Sequence, residues 1–430
     1  MSSKLAPSIT RFLTSKTLLR IKRNLFETRR RLSGNPHTLH YFHQIDDPYS
    51  HLVAQLLPIL QSAYNLKFVV HMVMPPPNEY APERDALENY SRRDAAKIAP
   101  FYGLSFTDLG HQPSNTCLQL AQRALAASSN PLIALTEIGE AYWNNDSNLL
   151  ERMALVSERK ASEMLKSGTK MRDLLGHYLG GMLYYGGEWY WGIDRLPYLE
   201  DRLIAQRFLN HGCRRVTQFQ TRPAFMAQPA KRRLTVEFYP SVRSPYSYVS
   251  MPETLDLPNH YPINLVVRPV LPMVMRGLPV PRRKGLYILG DTKREADRID
   301  VPFGKIADPV GEPVERCYSL FAWADEQGKG GDFLLAFCRL AWAQGVDMKT
   351  DAGMKKAVEA AELDWQEAQA LLGNDDWQGW AEDNRQQMMG SDLWGVPSYR
   401  LLDEKGEELF SCWGRDRLWL LAHEIQEALS

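Results

Sequence analysis

One order of elements occurs twice along this chain, and that repeat constrains the fold more than any other feature. The first pass opens with Leu39-His40-Tyr41-Phe42-His43, a run whose period of two predicts a half-buried strand. Asp47-Pro48-Tyr49-Ser50 follows, then apolar residues at helical spacing through Leu52, Leu56, Leu57 and Leu60. A second strand is expected at Phe68–Met72, and a long amphipathic helical region over about 85–175. The pass closes with Met182-Leu183-Tyr184-Tyr185, a Gly186-Gly187 turn, the edge-strand run Trp189-Tyr190-Trp191, and a helix from Asp194. The second pass repeats this order with Leu234–Tyr239, Ser244-Pro245-Tyr246-Ser247, a short helix, a strand at Ile263–Arg268 and a helical region over about 315–388. It ends with Gly395-Val396-Pro397-Ser398-Tyr399-Arg400-Leu401-Leu402, a turn at Asp403–Gly406, Leu409–Trp413, and a helix over Leu418–Leu429.

A strand–helix–strand unit requires a crossover that sets its two strands parallel. A glycine-turn hairpin adds antiparallel strands. Each pass therefore predicts an α/β fold: a mixed sheet, helices on its faces and a helical insertion, which is the topology of a thioredoxin-like domain. The boundaries this implies are a basic arm over 1–35, a first domain over 36–212, a linker over 213–230 around Arg222-Pro223 and Gln228-Pro229, and a second domain over 231–430.

Charge is distributed unevenly. The first 34 residues carry nine basic side chains against the single acid Glu27, a charge of +8 that the remainder balances with −8. Ile9, Phe12, Leu13, Leu19, Ile21, Leu25 and Phe26 interleave with the bases. Three readings fit: an amphipathic helix with weak affinity for an anionic membrane surface, a transit peptide, and a basic helix packed on the acidic body of its own chain. With 51 basic and 51 acidic residues in all, no net field draws the whole protein to nucleic acid. The five cysteines, at 117, 213, 317, 338 and 412, form no CxxC pair, so a cytoplasmic setting with reduced thiols is expected. His37, His40 and His43 resemble a ligand cluster, but 40 and 43 would face opposite sides of a strand, so no metal site is expected. Gly328-Lys329-Gly330-Gly331 lacks the spacing of a phosphate loop and reads as an ordinary loop.

The chemistry is expected where strand one meets its helix, because unpaired amides there favour an anion. In the second pass that position holds Ser244-Pro245-Tyr246-Ser247 and no cysteine, which excludes dithiol exchange there. A serine hydroxyl can instead donate to the thiolate of a bound molecule and lower that thiol's pKa.

Four segments, in order, resemble kappa-class glutathione transferases and the related 2-hydroxychromene-2-carboxylate isomerases, both DsbA-like members of the thioredoxin superfamily. They are Phe238–Ser247, Pro281-Arg282-Arg283-Lys284-Gly285-Leu286-Tyr287-Ile288, Gly395-Val396-Pro397 and Trp413-Gly414-Arg415-Asp416-Arg417-Leu418. The resemblance spans nearly all of 231–430 and implies roles residue by residue. Ser244 resembles the serine that activates the sulfur of glutathione. Lys284 resembles the residue that meets the glycyl carboxylate. Val396, before a cis Pro397, resembles the backbone partner of the cysteinyl moiety, and Asp416 the carboxylate that holds the γ-glutamyl ammonium. Arg415 stands where the resemblance expects a small polar residue.

The first pass resembles the family more faintly. Asp47 replaces the activating serine, Leu87 falls where the lysine should be, and Gly180-Gly181-Met182 stands for Gly-Val-Pro. That half is expected to be a degenerate copy, and the halves to pack as an internal pseudo-dimer unless the protein is a homodimer. Taken together, the resemblance implies a glutathione-dependent isomerase acting on an aromatic or chromene-type acid by reversible thiolate addition. The alternatives are a kappa-like transferase that conjugates small electrophiles, and a non-enzymatic binding or scaffold protein.

Overall fold

The computed structural model describes residues 6–224 and 233–430. The chain divides into two compact units, Arg20–Gln220 and the residues from Thr221 onward, and the residues up to Leu19 group with the second.

The basic arm forms two helices, α1 (Ala6–Leu13) and α2 (Lys16–Leu32). The N-terminal unit continues with β1 (Thr38–His43), α3 (Pro48–Ala63) and β2 (Lys67–Met72). Its helical insertion comprises α4 (Arg84–Ile98), α5 (Asn115–Ala127), α6 (Pro131–Trp143), α7 (Ser147–Met153) and α8 (Glu158–Leu174). The hairpin β3 (Met182–Tyr185) and β4 (Glu188–Trp191) then leads into α9 (Leu196–Ala205). The sheet order is β2-β1-β3-β4, with β1 and β2 parallel and the other pairs antiparallel. Trp189 and Trp191 thus lie on the edge strand that their alternation predicts.

The C-terminal unit repeats the order. It holds β5 (Leu234–Tyr239), α10 (Pro245–Leu255), α11 (Leu257–His260) and β6 (Ile263–Val267). The insertion is α12 (Arg282–Arg298), α13 (Glu312–Glu326), α14 (Gly330–Arg339), α15 (Asp351–Ala360), α16 (Trp365–Leu371) and α17 (Trp377–Gly390). The unit closes with β7 (Ser398–Leu402), β8 (Glu408–Trp413) and α18 (Leu418–Leu429). Its sheet order is β6-β5-β7-β8, again with one parallel pair. The two mixed four-stranded sheets agree with the fold class expected from the repeat.

Alternation places Leu234, Val236 and Phe238 on the buried face of β5, where they join Tyr399, Leu421 and Ile425 in one apolar core. The other face carries a charged ladder. Glu237 accepts from Arg268 Nε at 2.6 Å and from Arg400 Nη1 at 2.7 Å, and Arg400 Nε reaches Glu408 at 2.9 Å. One chain of ions thus links β5, β7 and β8 to the residue that directly follows β6. Several helices start at side-chain caps that the sequence supplies, including Ser114, Ser157, Thr350 and Asp364.

Gly330 and Gly331 correct the sequence reading, since they open α14 rather than lie in a loop. A Cβ at Gly330 would fall 2.3 Å from Asp325 Oδ1, and one at Gly331 would fall 2.6 Å from a Leu255 methyl. Close packing, not backbone freedom, accounts for both glycines. Among the described residues no helix is long and apolar enough to cross a membrane.

Candidate functional site

Ser244 caps α10. Its Oγ accepts from the Ser247 amide at 3.2 Å, and Pro245 occupies the first helical turn, where an amide would have no partner anyway. The approach to the cap is held from below. Ser247 Oγ accepts from the Ser241 amide at 3.2 Å, and Trp342 Nε1 donates to the Val242 carbonyl at 2.9 Å. The hydroxyl of Ser244 is half-buried and points toward the Val396 carbonyl, 3.4 Å away.

The Val396–Pro397 bond is cis, as the resemblance implies. The loop that contains it is clamped on both sides. Gly414 N donates to the Pro397 carbonyl at 2.8 Å, and Ser398 Oγ donates to the Gly395 carbonyl at 2.6 Å. Gly395 lies so close to Trp413 that a Cβ would come within 2.7 Å of the indole Nε1. Trp413 in turn meets Trp394 edge to face, with ring centroids 5.2 Å apart.

Lys284 is in the first turn of α12 and is buried. Its Nζ lies 5.4 Å from the centre of the Trp394 ring. Burial pushes its pKa down to about 8. Tyr246 ties the start of α10 to α12 through Asp291, with an OH to Oδ2 distance of 2.8 Å. Asp416 is half-buried in the 3-10 turn Arg415–Arg417, two residues beyond the Gly414 clamp on Pro397. Ser244 and Val396 therefore meet directly. Lys284 joins the loop through Trp394, and Asp416 through Gly414.

Arg415 turns away from this loop. It is buried between Glu295 of α12, 2.8 Å from Nη1, and Glu253 of α10. An arginine where a small polar residue was expected thus fastens the two helices that carry Lys284 and Ser244. Sequence reasoning missed Trp394 and Trp342, and it quoted Trp413 within a motif without assigning it a role. A tryptophan directly before Gly395 was the available signal for the first.

The N-terminal unit has the same frame around different chemistry. Ser50 Oγ accepts from the Gln44 amide at 3.2 Å, as Ser247 does from Ser241. Asp47 Oδ2 accepts from the Ser50 amide at 2.9 Å and from Ser50 Oγ at 2.6 Å. Burial raises the Asp47 pKa to about 6. Gly192 N donates to the Gly181 carbonyl at 2.9 Å, the counterpart of the Gly414–Pro397 bond. Met182 pairs with Trp191 as Ser398 pairs with Trp413. The sequence register is thereby corrected by one residue: Gly181, not Met182, takes the place of Pro397. Gly181 has φ +62°, and a Cβ there would lie 3.0 Å from Asp47 Oδ2. The aspartate fills the mouth that the loop would otherwise frame.

The histidines before and on β1 do not converge, and His37 Nδ1 lies 2.9 Å from the Tyr185 hydroxyl. His40 Nδ1 lies 2.9 Å from His71 Nε2, whereas buried His43 meets the Tyr41 hydroxyl at 3.1 Å. Among the described residues no three His, Cys, Asp or Glu side chains are placed to hold a metal ion. All five cysteines are free, and Cys213 alone is exposed. An open groove of about 390 Å³, lined by Met74, Lys166, Thr169, Lys170, Asp173 and Leu174, belongs to the N-terminal unit and contains none of the candidate residues.

Residues 235–426, most of the C-terminal unit, match the DSBA-like thioredoxin domain family. Similar solved structures include a 2-hydroxychromene-2-carboxylate isomerase, 18% identical, with 45% of this chain and 95% of that chain covered and a TM-score of 0.38. They also include the cytosolic disulfide reductase DsbM from Pseudomonas aeruginosa, 16% identical, covering 46% of this chain and 100% of that one, with a TM-score of 0.35. The same reductase with GSH matches at 14% identity, 45% and 96% coverage, and a TM-score of 0.33. No curated protein matches the chain.

Proposed function

We propose that the C-terminal unit binds glutathione and works as a glutathione-dependent isomerase of an aromatic or chromene-type carboxylic acid, in a cytoplasmic setting. One observation supports this reading above the rest: the Ser244 hydroxyl stands at a helix N-terminus, 3.4 Å from the carbonyl that precedes a cis proline. That bond is long for a hydroxyl donor, so the hydroxyl can turn its proton toward a sulfur anion when one arrives. The partial positive charge of the α10 amides favours the same anion.

In this reading Lys284 meets the glycyl carboxylate, the backbone of Val396 pairs with the cysteinyl moiety, and Asp416 holds the γ-glutamyl ammonium. The thiolate adds to a conjugated carbon of the substrate and turns a double bond into a single one. That bond rotates, the electron pair returns, and the thiolate leaves unchanged. In the N-terminal unit Asp47 would repel a thiolate at the equivalent place, which supports reading that half as a degenerate copy.

Liquid chromatography of a turnover mixture tests the reaction. Glutathione should remain constant while substrate isomerises. Stoichiometric loss of glutathione to a conjugate would support the kappa-like transferase instead. Ser244→Ala should abolish turnover while glutathione still shifts the melting temperature. If millimolar glutathione shifts the melting temperature of neither protein, the scaffold alternative replaces both.

A further inference from the structure

Surface helices normally bury their apolar stripe and expose their charges. In the part of α2 that belongs to the N-terminal unit the arrangement is reversed. The face that packs carries Arg23, Phe26, Glu27 and Arg30. Arg23 forms a two-pronged pair with Glu188, at 2.7 and 3.0 Å, and Glu27 is held by Arg30 at 2.7 Å. Phe26 lies against Gly187. The opposite face carries Ile21, Leu25, Thr28 and Leu32, spaced four, three and four residues apart. At 100° per residue these lie within an arc of about 60°. Ile21 is 44% exposed, Leu25 54% and Leu32 83%. Cations border this stripe on both sides, Lys22 and Arg29 along one flank, Arg20 and Arg31 along the other, and all four are exposed.

We propose that this outward face of α2 docks on an anionic lipid surface, with the helix axis parallel to the bilayer plane. A strip of three aliphatic side chains is wide enough to enter the headgroup boundary, and the flanking cations lie level with lipid phosphates. The charge is complementary to an anionic leaflet, and each cation near such a surface is expected to strengthen binding about fivefold. The ion pair to Glu188 holds the opposite face against the protein, so the helix is already folded and oriented before it meets the lipid. This placement is independent of the site at Ser244 and stands or falls separately from the glutathione reading.

The test uses the full chain and co-sedimentation with phosphatidylcholine vesicles, with and without about 30% phosphatidylglycerol. Binding should appear only with the anionic vesicles and should be lost at about 1 M salt. The triple variant Ile21→Gln, Leu25→Gln, Leu32→Gln should lose at least tenfold in affinity. Lys22→Glu with Arg29→Glu should abolish binding, because it reverses one flank and keeps the stripe. All five substituted side chains are on the surface, and unchanged circular dichroism melts would confirm that both variants fold. No binding to anionic vesicles, or binding that survives either variant, overturns the proposal. So does a wild-type dimer that the triple variant converts to monomer, since the stripe would then be an interface between copies.

Discussion

If Lys284 meets glutathione as proposed, it sets stability against binding, and one substitution exposes the conflict. Its ammonium is buried, and burial lowers its pKa to about 8 from an ordinary 10.5. Keeping it charged at pH 7 costs the folded state ~3 kcal/mol relative to the unfolded chain. Lys284→Met removes that cost and keeps most of the side-chain volume. It also gives up the contact with the Trp394 ring, worth about 1 kcal/mol. The net gain is about 1–2 kcal/mol, or a rise of roughly 3–8 °C in the transition of the C-terminal unit. The pH dependence fixes the sign. Between the folded pKa near 8 and the ordinary value, the unfolded chain binds more protons, so wild-type stability rises with pH across that window. The variant lacks this rise, and the gap between the two proteins should close by about pH 10.5. Melts followed by circular dichroism at pH 7 and at pH 10 measure both effects. Millimolar glutathione should raise the wild-type melting temperature at pH 7 and shift the variant far less. A variant that melts at or below wild type at pH 7 refutes the burial argument. A more stable variant that glutathione stabilises equally well refutes the assignment of Lys284 to the glycyl carboxylate.

Acid should unfold the N-terminal unit first. Burial holds His43 down to about 3, and His51 and His71 to about 4, so each contributes stability above the ordinary histidine value of 6.5 that is lost as pH falls through it. Asp47, raised to about 6, opposes this only in part. Hydrogen exchange at pH 5 should show protection lost over 38–72 before 234–267, and the reverse order would contradict it. Arg415→Ala should cost about 2–3 kcal/mol in urea unfolding, because buried Glu295 loses a guanidinium at 2.8 Å while Arg298 stands farther off at 3.7 Å; a loss under about 0.5 kcal/mol would mean that Arg415 does not hold α10 to α12. Gly395→Ala should weaken glutathione binding while leaving the fold intact, since its Cβ must displace either Trp413 or the cis-proline loop. Calorimetry that shows unchanged affinity would mean the loop position is irrelevant to the ligand.

Much of the frame was legible because its signals are local. Leu234–Tyr239 and Leu418–Leu429 lie where period-two alternation and helical spacing put them. The caps Asp47 and Ser244 stand at the helix starts their residue types announce. What escaped depends on neighbours distant in sequence. Gly330 and Gly331 are helical because Asp325 and Leu255 leave no room for side chains there. Trp394 gains its meaning only when α12 brings Lys284 over its ring. The Gly181 register slipped because two adjacent glycines look alike in sequence, and the Gly192 hydrogen bond and the Met182–Trp191 pairing are what separate them. The outward stripe of α2 was visible as mixed composition, but which face packs was decided by Glu188, a residue from the far end of the same unit.

The matched pair Asp47 and Gly181 makes a Ser244-type mouth hard to install in the N-terminal unit by single substitutions. Proline at 181 cannot take the backbone angle that glycine holds there, and its ring would press on the carboxylate. Serine at 47 alone leaves a gap beside a loop that is still bent the wrong way. Both positions would have to change together for the loop and the helix start to fit each other again. Two side chains on opposite sides of one cleft thus set the shape of that mouth together, and a change at either is felt by the other.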